Sequence, residues 1–104
     1  MEKMVELIGQ ELAAAFDKAG YDKSYAKVTR SDRPDLCEYQ CNGAMAGAKA
    51  YHKAPFMIAE DVTANLEKRE WMKEVEVVKP GFINIHVDAK RAAEYLNAMN
   101  KDPD

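Results

Sequence analysis

The sequence predicts an α+β fold of two layers: a four-stranded antiparallel sheet with its helices on one face, in the order α-β-β-α-α-β-β-α. Three observations carry this expectation. Apolar residues recur at steps of three and four at both ends of the chain and in its middle. Two stretches alternate polar with apolar residues, and each is broken by a loop rich in turn formers. Both loops are too short for a crossover, so each strand pair closes as an antiparallel hairpin.

From Glu2 to Ala19, the residues Met4, Ile8, Leu12, Ala15 or Phe16 and Ala19 fall on one stripe of a helix. Gly20 ends it, because glycine enters the left-handed conformation that satisfies the last helical carbonyls. Ser24 to Thr29 alternates Tyr25, Lys27 and Thr29 with Ala26 and Val28, the pattern of a first strand. A polar turn through Ser31, Asp32, Arg33, Pro34 and Asp35 leads to a second short strand, about Cys37 to Cys41. The Ala-rich run from Gly43 to His52 has high helix propensity, and its small residues Ala44, Ala46, Gly47 and Ala48 permit close approach to the sheet. Pro55 suits the first position of a further helix with Ile58, Val62 and Leu66 on its buried stripe. Glu74 to Val87 reads as the second hairpin: Val75 and Val77 alternate with Glu74 and Glu76, Pro80-Gly81 turns the chain, and Phe82 to Val87 returns. Asp88 is placed to cap a last helix through Ala92, Ala93, Leu96 and Met99.

With 104 residues, 47% hydrophobic and 32% charged, the chain is sized and composed for one globular domain over 1–104. Its polar tail, 100–104, has no stop signal of its own and reads as the start of a linker to a further domain. Apolar runs are broken by charge well short of the ~18 residues of a spanning helix, and no basic-then-apolar leader opens the chain. A cytoplasmic location and no membrane partner are therefore expected. The net charge of -3 excludes a protein that coats DNA or RNA without selection, because such binding draws its free energy from phosphate neutralisation. Any RNA contact must be local and directed.

Catalytic and metal chemistry find little support. In an extended strand Cys37 and Cys41 stand about 13 Å apart, too far for a shared zinc ion or a disulfide. His52 and His86 have no plausible set of serine, cysteine and aspartate partners close in sequence for a nucleophilic triad, and Gly43 and Gly47 lack the strand and turn context of a phosphate loop.

The last strand holds the candidate site. Strand parity sends Ile83, Ile85 and Val87 to one face and Phe82, Asn84 and His86 to the other. A ring and a carboxamide side by side suit an unpaired base, whose flat face stacks on Phe82 and whose edge matches Asn84. Such stacking contributes roughly 1–3 kcal/mol per base. Lys79, just before the turn, is placed to meet a phosphate. A protein-interaction module using the same open face, with Phe82 as an apolar anchor, is the alternative from a different class.

Two segments carry a resemblance. Glu38-Tyr39-Gln40-Cys41-Asn42-Gly43-Ala44-Met45-Ala46 with Ala48-Lys49, and Val75-Glu76-Val77 leading into Pro80-Gly81-Phe82-Ile83-Asn84-Ile85, resemble the two signature stretches of the arginyl-tRNA synthetase N-terminal additional domain. Pro55 and Ile58-Ala59-Glu60 between them are similar to that family's linking helix, so the likeness covers nearly the whole chain. The resemblance implies a domain that leans on the outer corner of an arginine-accepting tRNA and recognises its D loop. It implies Phe82 and Asn84 as the residues that hold a variable, often adenine, base. Lys79 stands where some members add a third contact, and a lysine suits phosphate better than an adenine edge. Gln40 and Asn42 belong to the family pattern, either as tRNA contacts or as groups that satisfy the backbone where strand meets helix, Asn42 being a natural helix cap. Glu38 stands where aspartate is more usual. The catalytic domain of the same synthetase is the implied second partner. ATP and magnesium belong to that body, since the paired histidines of its ATP signature are absent here; no cofactor and no catalytic residue are expected in this segment.

Overall fold

The computed structural model describes residues 2–31 and 38–100, with the side chains of 2–3 and 98–100 left aside. The turn expected at 32–35, Cys37, the Met99 side chain and the tail beyond 100 lie outside the described residues. Helix α1 (Glu2–Lys18) buries Met4, Ile8, Leu12, Ala15 and Phe16, the stripe its periodicity predicts. It stops at the expected glycine. Gly20 takes φ +93°, its N–H donates to Asp17 O at 3.0 Å, and the Tyr21 N–H donates to Phe16 O at 2.8 Å. These are the paired bonds of a Schellman ending.

The next segment departs from expectation. Lys23–Tyr25 form a 3-10 turn whose N-cap Asp22 accepts from the Ser24 N–H at 2.8 Å, and strand β1 is confined to Val28–Arg30. A short acid that bonds the backbone two residues on offers the chain a turn in competition with a ladder, and alternation of residue types does not register that bond.

Strands β2 (Tyr39–Cys41), β3 (Met72–Val78) and β4 (Phe82–Val87) complete a four-stranded sheet in spatial order β1-β2-β4-β3, antiparallel throughout. Each expected hairpin forms one half, and the halves join through β2 and β4, which makes β4 a central strand. Helices α2 (Gly43–Tyr51) and α3 (Pro55–Ala64) connect the halves, and α4 (Ala89–Asn100) follows the sheet. The register sets Val28, Cys41, Ile83 and Val77 in one row and Arg30, Tyr39, Ile85 and Val75 in another. By parity Thr29, Gln40, Asn84 and Glu76 form a row on the opposite face. A register shift between Met72 and Glu74 returns Met72 to the core side opposite Val87, where it is buried.

The core joins one face of the sheet to all four helices through Ile8, Leu12, Phe16, Ala44, Ile58, Val62, Ile83, Ile85, Ala92 and Leu96. Each large aliphatic or aromatic side chain buried there stabilises the fold by roughly 1.5–3 kcal/mol. The small residues of α2 serve a contact the sequence does not announce: a Cβ on Gly43 would lie 1.7 Å from the Tyr25 carbonyl oxygen, so the helix start abuts the 3-10 turn. Helix α3 ends at Ala64, which leaves Leu66 beyond it and only half-buried. Asp88 caps α4 as expected, its Oδ1 accepting from the Arg91 N–H at 3.1 Å. No helix among the described residues is long and apolar enough to cross a membrane.

Candidate nucleic-acid interface

Ile83 and Ile85 are fully buried, as parity predicts. The other face is less even than a row of three open side chains. Phe82 and His86 are half-buried, whereas Asn84 is only 7% exposed. Its place on a central strand is the reason, because Gln40 of β2 and Glu76 of β3 are its cross-strand neighbours and Phe82 and His86 flank it along β4. Gln40 Nε2 donates to Asn84 Oδ1 at 2.9 Å, and Glu76 Oε1 lies 3.2 Å from His86 Nε2. An amide with so little water must be bonded to be tolerated, and Gln40 supplies that bond. The Asn84 Nδ2 group, with two donors, is the end not committed to Gln40.

Phe82 lies at the end of this face opposite Val78, itself 38% exposed. The turn before it is seated on α3. A Cβ on Gly81 would come within 2.5 Å of Pro55 Cβ and 2.9 Å of the Pro55 carbonyl carbon, so only glycine lets the turn meet the start of that helix. Lys79 Nζ stands 5.5 Å from the centroid of the Phe56 ring, a cation–π contact that holds the exposed lysine at the turn and beside α3. Phe82, Asn84 and Gln40 are thus brought to one face, with Lys79 at its end.

Asn42 occupies the position before α2, but its side chain makes no capping bond. Its backbone, at φ -113° and ψ 19°, departs from the extended conformation from which a capping side chain reaches back. The exposed carboxamide is therefore free of the structural role that sequence suggests for it. Gln40 likewise bonds a side chain rather than the backbone.

Two features escape sequence reasoning. Glu38 Oε1 accepts from the Val87 N–H at 2.7 Å, extending the β2–β4 ladder where β2 ends, while the Glu38 N–H donates to Ile85 O. Only the register reveals that partner. Behind the sheet, Tyr21 OH donates to Asp61 Oδ2 at 2.6 Å and accepts from Lys53 Nζ at 3.0 Å, tying α3 to the segment after α1. Burial, then the Asp61 bond, raise the Tyr21 hydroxyl above its ordinary pKa. An apolar groove lined by Met4, Tyr39, Val87, Ala92 and Leu96 lies on the core side of the sheet, away from Asn84. Among the described residues no cluster of His, Cys, Asp and Glu is placed to hold a metal ion.

Residues 2–87 match the family described as the arginyl tRNA synthetase N terminal domain. The arginine--tRNA ligase of Agathobacter rectalis is 56% identical over 102 residues, 98% of this chain and 17% of that protein. That of Alkaliphilus oremlandii is 46% identical over 99 residues, covering 95% and 17%. The chain therefore spans about a sixth of the length of these relatives. Among solved structures, the arginyl-tRNA synthetase of Plasmodium falciparum superimposes with a TM-score of 0.77 at 20% identity, over 89% of this chain and 17% of that one. The Thermus thermophilus enzyme gives 0.74 at 21%, over 88% and 15%. At such identities the two structures speak to the fold alone.

Proposed function

Because the chain belongs to the arginyl-tRNA synthetase N-terminal domain family, we propose that its Phe82–Asn84 face binds the D loop at the outer corner of an arginine-accepting tRNA. It does so in support of arginine–tRNA ligation by a catalytic body that this chain does not include. The observation that carries the reading is a half-buried ring next to a bonded carboxamide on the sheet face turned away from the core. An extruded base stacks on Phe82 while its edge meets Asn84 Nδ2, and the Lys79 ammonium meets a neighbouring phosphate. Asn42, exposed at the start of α2, adds a polar contact at the rim. The segment itself contributes recognition and no bond-making; ATP and magnesium act on the body.

Binding of an arginine-accepting tRNA to the 104-residue chain tests this. Phe82→Ala is expected to weaken it about 5- to 150-fold, the equivalent of one lost stacking contact, and Asn84→Ala to weaken it as well. Protection from cleavage should be confined to the D loop. Protection at the anticodon or acceptor stem instead, or an indifferent Phe82→Ala, ends the proposal.

A further inference from the structure

We infer that Gln40 is a positioning residue: it fixes which end of the Asn84 carboxamide faces the bound nucleotide, so that the cross-strand amide pair sets the base preference. This rests on the RNA reading above. A carboxamide turned by half a revolution about its last bond keeps nearly the same shape, so packing does not choose between its oxygen and its amino group. Hydrogen bonding does. The β2–β4 register puts Gln40 directly opposite Asn84, and the Nε2 to Oδ1 bond of 2.9 Å draws the oxygen toward β2. Glu76, opposite on the β3 side, offers acceptors only and favours the same orientation, with one oxygen already engaged by His86. At 7% exposure Asn84 has little water to stabilise the reverse arrangement.

The consequence is a face of mixed character. Asn84 presents N–H donors, and Gln40, having given its amino group to Asn84, keeps its own carbonyl as the acceptor beside them. A ring nitrogen next to an exocyclic amine, as in adenine, is complementary to that pair. Gln40→Glu removes the donor without changing the shape. The new carboxylate, opposite Asn84 and with both oxygens free, then competes for the Asn84 amino group against Glu76, one oxygen of which is held by His86. Asn84 turns its amino group toward β2 and shows its oxygen outward, so the face becomes acceptor-only and suits adjacent donors such as the guanine N1–H and N2 amine.

The experiment measures affinities of the chain and its variants for two transcripts of one arginine-accepting tRNA, with adenine or guanine at the variable D-loop position. Gln40→Glu is expected to shift the adenine-to-guanine affinity ratio at least about tenfold toward guanine, the discrimination typical of one good amide–base pair. Repulsion from the added charge weakens both transcripts alike and cancels in the ratio. Gln40→Leu, which bonds neither way, should bring the ratio toward unity without inverting it, and it serves should Gln40→Glu fail to melt cooperatively. An unchanged ratio in a folded Gln40→Glu or Gln40→Leu, with binding still lost in Phe82→Ala, overturns the role of Gln40 and leaves the RNA reading standing. Binding indifferent to Phe82→Ala overturns both.

Discussion

Asn84 sits on the central strand β4 with 7% of its surface exposed, its side-chain carbonyl oxygen accepting from Gln40 Nε2. Parity along Phe82 to Val87 was enough to assign Ile83 and Ile85 to the core, because alternation is a property of one strand. The burial of Asn84 and its bond to Gln40 depend on which strands lie on either side of β4, and no local pattern carries that. Cys41 raises a question of chemistry at the same scale. It is fully buried, its Sγ lies 3.9 Å from the Tyr25 carbonyl oxygen, and desolvation lifts its thiol above the ordinary 9.0. A group whose folded pKa is raised contributes stability that is fully present below its unfolded value and lost as pH rises toward the folded one. Cys41 thus begins to cost stability above 9.0 and Tyr21, raised mainly by burial, above 10.0. Thermal melts across the alkaline range should show a decline to which Cys41 and then Tyr21 contribute, and Cys41→Ala should remove the part that starts first. Superimposable pH profiles of the two proteins would contradict the assignment.

Among the elements, long helices and both hairpins were legible because periodicity and punctuation agreed: Gly20 and Asp88 act at the ends where they were expected. The Lys23–Tyr25 turn and the uncapped Asn42 were not, since the first depends on the Asp22 bond to the Ser24 N–H and the second on a backbone at φ -113° and ψ 19° that residue type does not announce. Glycines separate element stability from site geometry. Gly20 has positive φ but nothing within 4 Å of an added Cβ, so Gly20→Ala meets only backbone strain, about 1 kcal/mol. Gly81→Ala drives a Cβ into Pro55 and must lift the hairpin turn off α3, at a cost of about 1–3 kcal/mol. Both variants should lower the urea midpoint. Only Gly81→Ala should also weaken tRNA binding when measured far below its melting temperature, because the turn that places Lys79 and Phe82 has moved. Equal binding by the two variants would show that the seat of the turn on α3 does not govern the site.

For the whole molecule, charge decides how the proposed face meets RNA. The net charge is -3, and the face is asymmetric: Glu74 and Glu76 project from β3 on the Asn84 side, while Thr29 and Gln40 occupy β1 and β2. Peripheral ion pairs such as Lys18–Glu67, half exposed, and Arg69–Glu11, partly exposed, add little to stability, so they do not alter this balance. A polyanion approaching the Phe82–Asn84 row is repelled from the β3 edge, and its backbone is best accommodated over β1 and β2. Among the described residues few cations lie at the site, so the isolated chain should bind tRNA weakly, at about micromolar Kd or above, with tethering to the body supplying the remainder. Its salt slope should be shallow, near the -0.7 to -0.9 per phosphate of one or two contacts. Glu74 lies in the register opposite His86 and is exposed, whereas the His86 imidazole pairs with Glu76. Glu74→Gln therefore removes repulsion without disturbing the bonded row, and is expected to tighten tRNA binding about two- to fivefold at low salt. The gain should vanish once the Debye length falls to a few ångströms, at about 1 M salt, and should be equal for every base at the variable position. A gain that persists at high salt, or that favours one base, would mean that β3 reads the nucleotide directly and that the path of the RNA crosses the sheet in the other direction.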